Sequence, residues 1–138
     1  MSDVVRFGVS LEKTLLDRFD ALIRERSYTN RSEALRDMIR QELVRRAWEK
    51  GQEVAGAIIL NYDHHQRDML GKITDIQHDH QDLIISTQHI HLDHRTCLEI
   101  VAVRGKADRV EALAHALRSV KGVKHGALSI SGTGREMG

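Results

Sequence analysis

The sequence predicts an α+β fold in two parts: a short strand with two helices, then a β-α-β-β-α-β unit of the split, ferredoxin-like kind. Three observations carry that prediction. Apolar residues alternate at the start of the chain, they recur at helical spacing through the rest of its first part, and beyond Lys50-Gly51-Gln52 the two periods interchange in βαββαβ order. The 138 residues suffice for one ordinary domain or two small ones, and 41% hydrophobic with 30% charged residues is the composition of a folded chain. The expected division is a first domain over 1–50, a second over 51–131 and a disordered tail over 132–138. Each half is near the lower size limit for independent stability, so association is expected.

From Val4 to Leu11, Phe7, Val9 and Leu11 point to one side and Arg6, Gly8 and Ser10 to the other, which predicts a strand with one apolar face. Leu15, Phe19, Leu22 and Ile23 predict a first helix to about Arg26. Asn30-Arg31-Ser32-Glu33 reads as a capping box opening a second helix through Ala34, Leu35, Met38, Ile39, Leu43 and Trp48. A lone strand leaves an unpaired edge, and pairing with the same strand of a second chain removes it. The resulting antiparallel ribbon presents Arg6, Gly8 and Ser10 from both subunits and fits a DNA major groove. The amino end of the second helix, at Arg31 and Ser32, suits a backbone phosphate. An α/β dimerisation module fits the same pattern equally well. Charge does not decide between them: residues 1–50 hold 11 basic and 9 acidic side chains, and the whole chain is +1.

In the second part the run Val54 to Leu60 reads as a strand, Gln66 to about Ile76 as a helix, and Leu83 to His91 and Cys97 to Val103 as strands. Ala107 to Val120 is a helix carrying Val110, Leu113 and Leu117, and Val123 to Ile130 is the last strand. There is no proline and no internal repeat. Met1-Ser2-Asp3 lacks the basic start of a secretion signal, and no stretch approaches the roughly 18 apolar residues of a membrane span, so a cytoplasmic protein without membrane contact is expected. One cysteine cannot form an internal disulfide, which suits a reducing compartment and leaves a thiol for metal or redox work.

Seven of the nine histidines fall between His64 and His94. His89 and His91 are two apart on a strand, so their imidazoles leave one face roughly 7 Å apart, a gap that a metal ion can bridge. A hairpin centred on His94 sets Cys97 opposite His91 and Glu99 opposite His89. Two imidazoles, a thiol and a carboxyl are thus expected to converge. His78 lies eleven residues before His89, roughly 36 Å of extended chain, so it cannot join its own site, whereas the same residue of a neighbouring subunit can. On this alternation Leu83, Ile85, Val101 and Val103 share the histidine side, and Ile84, Ile90, Leu98 and Ile100 take the other. With both faces apolar, one is expected on helices and one on another subunit, which sets the metal at a subunit interface.

Three nitrogens and a thiolate hold zinc tetrahedrally, or copper(II) or nickel(II) in a square plane, and composition leaves the three open. Glu99 is positioned to orient a ligand from behind. Four protein ligands leave no open coordination position, which argues against a metalloenzyme. His64, His65, His80 and His94 lie outside this face and read as solvent groups or accessory sites, while His115 and His125 carry no signal.

These residues carry a resemblance to the nickel-responsive transcriptional regulators of the NikR type. It runs from about Val5 to Ser129, through Arg6 to Ser10 (RFGVS), Asn30 to Asp37 (NRSEALRD), Gln77 to Leu83 (QHDHQDL), His89 to Glu99 (HIHLDHRTCLE) and Gly122 to Gly126 (GVKHG). The resemblance implies a ribbon-helix-helix DNA-binding domain joined to an ACT-like domain in a homotetramer. It implies Ni(II), one per subunit, in a square plane of His89, His91 and Cys97 with His78 from another subunit, and repression of nickel uptake genes through double-stranded operator DNA. Arg6, Gly8 and Ser10 match the positions facing bases, and Glu33 and Asp37 match a second, weaker cation site. Gly8 departs from the polar side chain common there and offers no side-chain hydrogen bond to a base, and Ser27 stands where relatives often carry glycine. A regulator responding to zinc, copper or an amino acid is the alternative.

Overall fold

The computed structural model describes residues 3–135; the expectations that fall on Met1, Ser2 and residues 136–138 lie outside them. Among the described residues four α-helices and four strands follow one another as α1 (Lys13–Glu25), α2 (Arg31–Glu49), β1 (Glu53–Asp63), α3 (Arg67–Asp79), β2 (Ile84–His91), β3 (Thr96–Lys106), α4 (Ala107–Arg118) and β4 (Val123–Ser131). Residues 132–135 carry neither strand nor α-helix.

The expected strand at Val4 to Leu11 has no ladder partner among the described residues and is not a strand there. Its apolar side chains lie open: Val4 is 92% exposed, Phe7 73% and Val9 60%. Two helices do form after it. Ile23 and Ala34 are buried where α1 and α2 meet. The Asn30 side chain caps α2 by accepting from the Glu33 amide at 2.9 Å. The return contact of the capping box is displaced by one residue: the Glu33 carboxyl accepts from the Thr29 amide at 3.0 Å. Ser27, between the helices, holds φ +59, the left-handed region in which a side chain is strained.

The second part forms an antiparallel sheet in the order β2-β3-β1-β4, the ferredoxin-like arrangement predicted from the element order. One face is apolar because alternate residues of the two central strands point there. Ile58 pairs with Val101, Leu60 with Glu99 and Tyr62 with Cys97, and all six are buried. Met69 and Ile73 of α3, and Val110, Leu113, Ala114 and Leu117 of α4, close over that face at helical spacing. Val44, Ala47 and Trp48 of α2 join the same core.

At Ile85 the alternation expected from the sequence fails. The register of β2 on β3 shifts there, so Ile84 pairs with Val103 while Ser86 pairs with Ala102. A β-bulge inserts one residue and exchanges the faces of what precedes it. Ile84 therefore packs on the core and Ile85 is 65% exposed, the reverse of the predicted sides; Leu83 is buried as predicted. The opposite face, with Ile90, Leu98 and Ile100, is half-buried.

Candidate metal centre and nucleic-acid interface

Beyond the bulge the hairpin has the predicted register, His89 opposite Glu99 and His91 opposite Cys97. Its turn is held by Asp93, whose side chain accepts from the Arg95 and Thr96 amides at 2.9 and 2.8 Å. These donors share the face covered by helices, so the candidate centre lies at the β2 edge of the sheet on the helix side.

The side chains are not gathered as a cage. Among the described residues no three of His, Cys, Asp and Glu form a group that could hold a metal ion. Cys97 is 2% exposed. The His89 ring turns inward, its Nδ1 3.5 Å from both the Tyr62 hydroxyl and a Glu99 oxygen. His91 stands edge-on to His64, with ring centroids 4.8 Å apart. The register of the donor set is present in the backbone, while the two imidazoles are directed to other partners, His89 to Tyr62 and Glu99 and His91 to His64. The set itself, imidazole nitrogens beside a thiol on one face, suits a thiophilic divalent ion.

Glu99 is 1% exposed and binds on both oxygens. The Tyr62 hydroxyl donates to Oε1 at 2.6 Å, and the Gln77 amide of α3 donates to Oε2. Burial, then the Glu99 carboxyl, with a smaller contribution from the Cys97 thiol, push the Tyr62 phenol well above its ordinary range, so it stays a donor. His78 follows Gln77 on the last turn of α3; it is exposed, and its Nδ1 accepts from the Gln81 amide at 2.9 Å. With Thr74, Gln77, Gln81 and Ile84 it lines an open cleft.

The sequence missed three neighbours of this site. Tyr62 lies beyond the strand that periodicity reads to Leu60, Gln77 has no metal-ligand chemistry to mark it, and His64 reads from the sequence as a solvent group or accessory site outside this face. His64 in fact donates from Nε2 to the His94 carbonyl at 2.6 Å, lies tilted against the His65 ring and meets His91 edge-on. The histidine pair at the end of the apolar run was the available signal. His80 is occupied locally, donating from Nδ1 to the Ile76 carbonyl.

On the first part, Arg6, Gly8 and Ser10 are exposed, and nothing lies within 4 Å of where a Gly8 side chain would begin. Arg31 is held by a two-pronged pair with Asp20, both contacts at 2.9 Å, beside the exposed Ser32. Glu33 serves the α2 cap, and Asp37 accepts from the Tyr28 hydroxyl and from Gln41 at 2.8 Å, so the two carboxyls are separately engaged.

Residues 5–46 match the model of the ribbon-helix-helix proteins of the copG family, and residues 55–131 match that of the NikR C terminal nickel binding domain. A protein of Syntrophus aciditrophicus, named by inference a nickel-responsive regulator, is 64% identical over 98% of this chain and 98% of its own. One of Chlorobium limicola, named likewise, is 60% identical over 97% of this chain and 100% of its own. One of Geobacter sulfurreducens, with the same name, is 51% identical over 99% of each. Among solved structures, an uncharacterised protein of Thermotoga maritima superposes with a TM-score of 0.52 at 10% identity, covering 57% of this chain and 98% of that one, a likeness of fold alone. Among the described residues no helix is long and apolar enough to cross a membrane.

Proposed function

The chain belongs to the NikR family, regulators rather than enzymes that join a ribbon-helix-helix domain to a nickel-binding domain, and from that premise we propose that it binds operator DNA when loaded with Ni(II) and represses nickel uptake genes. The observation that carries this reading is the β2–β3 register, which puts His91 opposite Cys97 and His89 opposite Glu99 on one face.

His89, His91 and Cys97 of one protomer and His78 of a neighbour are the ligands, one ion per subunit, in a homotetramer. Bound there, Ni(II) would supply bonds to the imidazole nitrogens and the thiolate that favour the arrangement of protomers in which these residues converge. Glu99 holds the hairpin beside α3 and fixes the His89 ring from behind. The division at residues 50 and 51 separates the DNA-binding part from the metal-binding part. The sheet face of Ile90, Leu98 and Ile100 is one surface for other subunits, and the β2 edge, on the helix side where the donors stand, is the one across which His78 of a neighbour is shared. The segment Val4 to Leu11 pairs with its counterpart in a second chain, which accounts for its open apolar side chains. Arg6 and Ser10 then read bases, Gly8 lets the backbone lie close, and Arg31 and Ser32 take a phosphate. Glu33 and Asp37 are the candidate weaker cation site.

The test is a calorimetric titration of Ni(II), Zn(II) and Cu(II) into the wild type and Cys97→Ala. Tight nickel binding is expected in the first and lost in the second; equal nickel affinity in both sinks the ligand assignment. DNA binding across a salt series, with and without each ion, then decides which metal is the effector.

A further inference from the structure

The sole tryptophan of the chain stands where the two parts meet. Trp48 is 6% exposed in the last turn of α2, and its indole N–H donates to the Ser131 carbonyl at 2.7 Å, at the far end of β4. The edge of its ring lies over Gly56 of β1. A Cβ at Gly56 would stand 2.7 Å from the Ser129 carbonyl oxygen and 3.4 Å from the Trp48 ring, so the absence of a side chain there makes the seat. Val44 and Ala47 pack into the same core from the preceding turn.

The chain between α2 and β1 has no slack. The Gln52 amide donates to the Ala47 carbonyl at 3.0 Å and the Gly51 amide to that of Trp48 at 3.2 Å, around Gly51 at φ +66. That pair of bonds is a Schellman closure of the helix. The Gln52 carbonyl in turn accepts from the Ala107 amide at 3.0 Å, the first residue of α4. The junction Lys50-Gly51-Gln52 is thus hydrogen-bonded to the helices on both sides of it.

We propose that Trp48 is a positioning residue that docks the end of α2 on the regulatory sheet and so couples the orientation of the DNA-binding head to that sheet. β1 is the element shared by both sites. Gly56 lies beneath Trp48, and Tyr62, six residues on and roughly 20 Å along the strand, pairs with Cys97. A shift of the metal-bearing end of the sheet then reaches α2 through one strand and one indole contact. This deepens the reading of the chain as a nickel-responsive DNA-binding regulator and rests on it.

The experiment compares the full-length wild type with Trp48→Phe, which keeps an aromatic ring in the seat and removes the N–H. Hydrogen exchange reads the docking, nickel titration reads the metal site alone, and affinity for the duplex that nickel-loaded wild type selects from a random library reads the coupling. In Trp48→Phe the Gly51, Gln52 and Ala107 amides are expected to exchange about tenfold faster and nickel affinity without DNA to stay at the wild-type value. The nickel-dependent gain in duplex affinity should fall about tenfold, and by reciprocity the tightening of nickel by the duplex should fall by the same factor. Unchanged exchange at those three amides overturns the docking, and an unchanged nickel-dependent gain overturns the transmission. A wild type with no nickel-dependent gain refutes the regulator reading and the transmission together, while the exchange data still decide the docking.

Discussion

Removing the Glu99 carboxyl should cost this fold far more than replacing it with an amide. In Glu99→Ala the Tyr62 hydroxyl, on a residue 1% exposed, loses an acceptor 2.6 Å away. An orphaned buried donor costs about 1–3 kcal/mol. The Gln77 amide loses its partner too, but it is half-buried and water can replace most of that bond. The vacated methylenes and carboxyl leave a small cavity under α3, worth about 1 kcal/mol. The sum is about 3 kcal/mol, or about 10–15 °C in the melting midpoint for a domain of this size. Glu99→Gln keeps an oxygen for Tyr62, and the Gln77 amide can turn its own oxygen toward the new NH2, so the cost should stay under about 1 kcal/mol. Urea unfolding of the metal-free protein, at one fixed concentration because association contributes to stability, separates the two. The argument is refuted if Glu99→Ala costs less than about 1 kcal/mol, or if Glu99→Gln costs as much as Glu99→Ala.

Asp63 should govern part of the acid limb of stability. The His65 backbone amide, against the opposing effect of burial and with help from the Arg95 guanidinium, holds its carboxyl below the usual range. A lowered folded value contributes stability above the unfolded value and loses it as pH falls through the folded one. The stability difference between metal-free wild type and Asp63→Asn should therefore narrow below about pH 5; a constant difference from neutral pH to pH 3 contradicts it. Asp20→Asn should release the Arg31 guanidinium for phosphate. DNA affinity at low salt should then rise about threefold and the log–log salt slope steepen by about one charge. A slope equal to that of the wild type means that Arg31 does not touch the backbone of the duplex.

Periodicity and turn chemistry alone determined most of the elements and, through the short His91-to-Cys97 connection, the pairing of the hairpin that carries His89, His91 and Cys97. A tight turn leaves a strand pair almost no freedom of register, so local residues suffice. The same local logic failed one step further back, because a bulge at Ile85 costs little and leaves no mark in the apolar pattern. Tertiary structure alone decided the rest. Tyr62 reaches Glu99 across 37 residues of sequence, Gln77 reaches it across 22, and Trp48 meets Ser131 across 83. Which of many polar side chains fills a distant partner's hydrogen bond depends on how sheet and helices stack, and no spacing along the chain records it. The open segment Val4 to Leu11 is the reverse case: its alternation is written in the sequence, but no ladder forms on it among the described residues, and a strand exists only where a partner takes its hydrogen bonds.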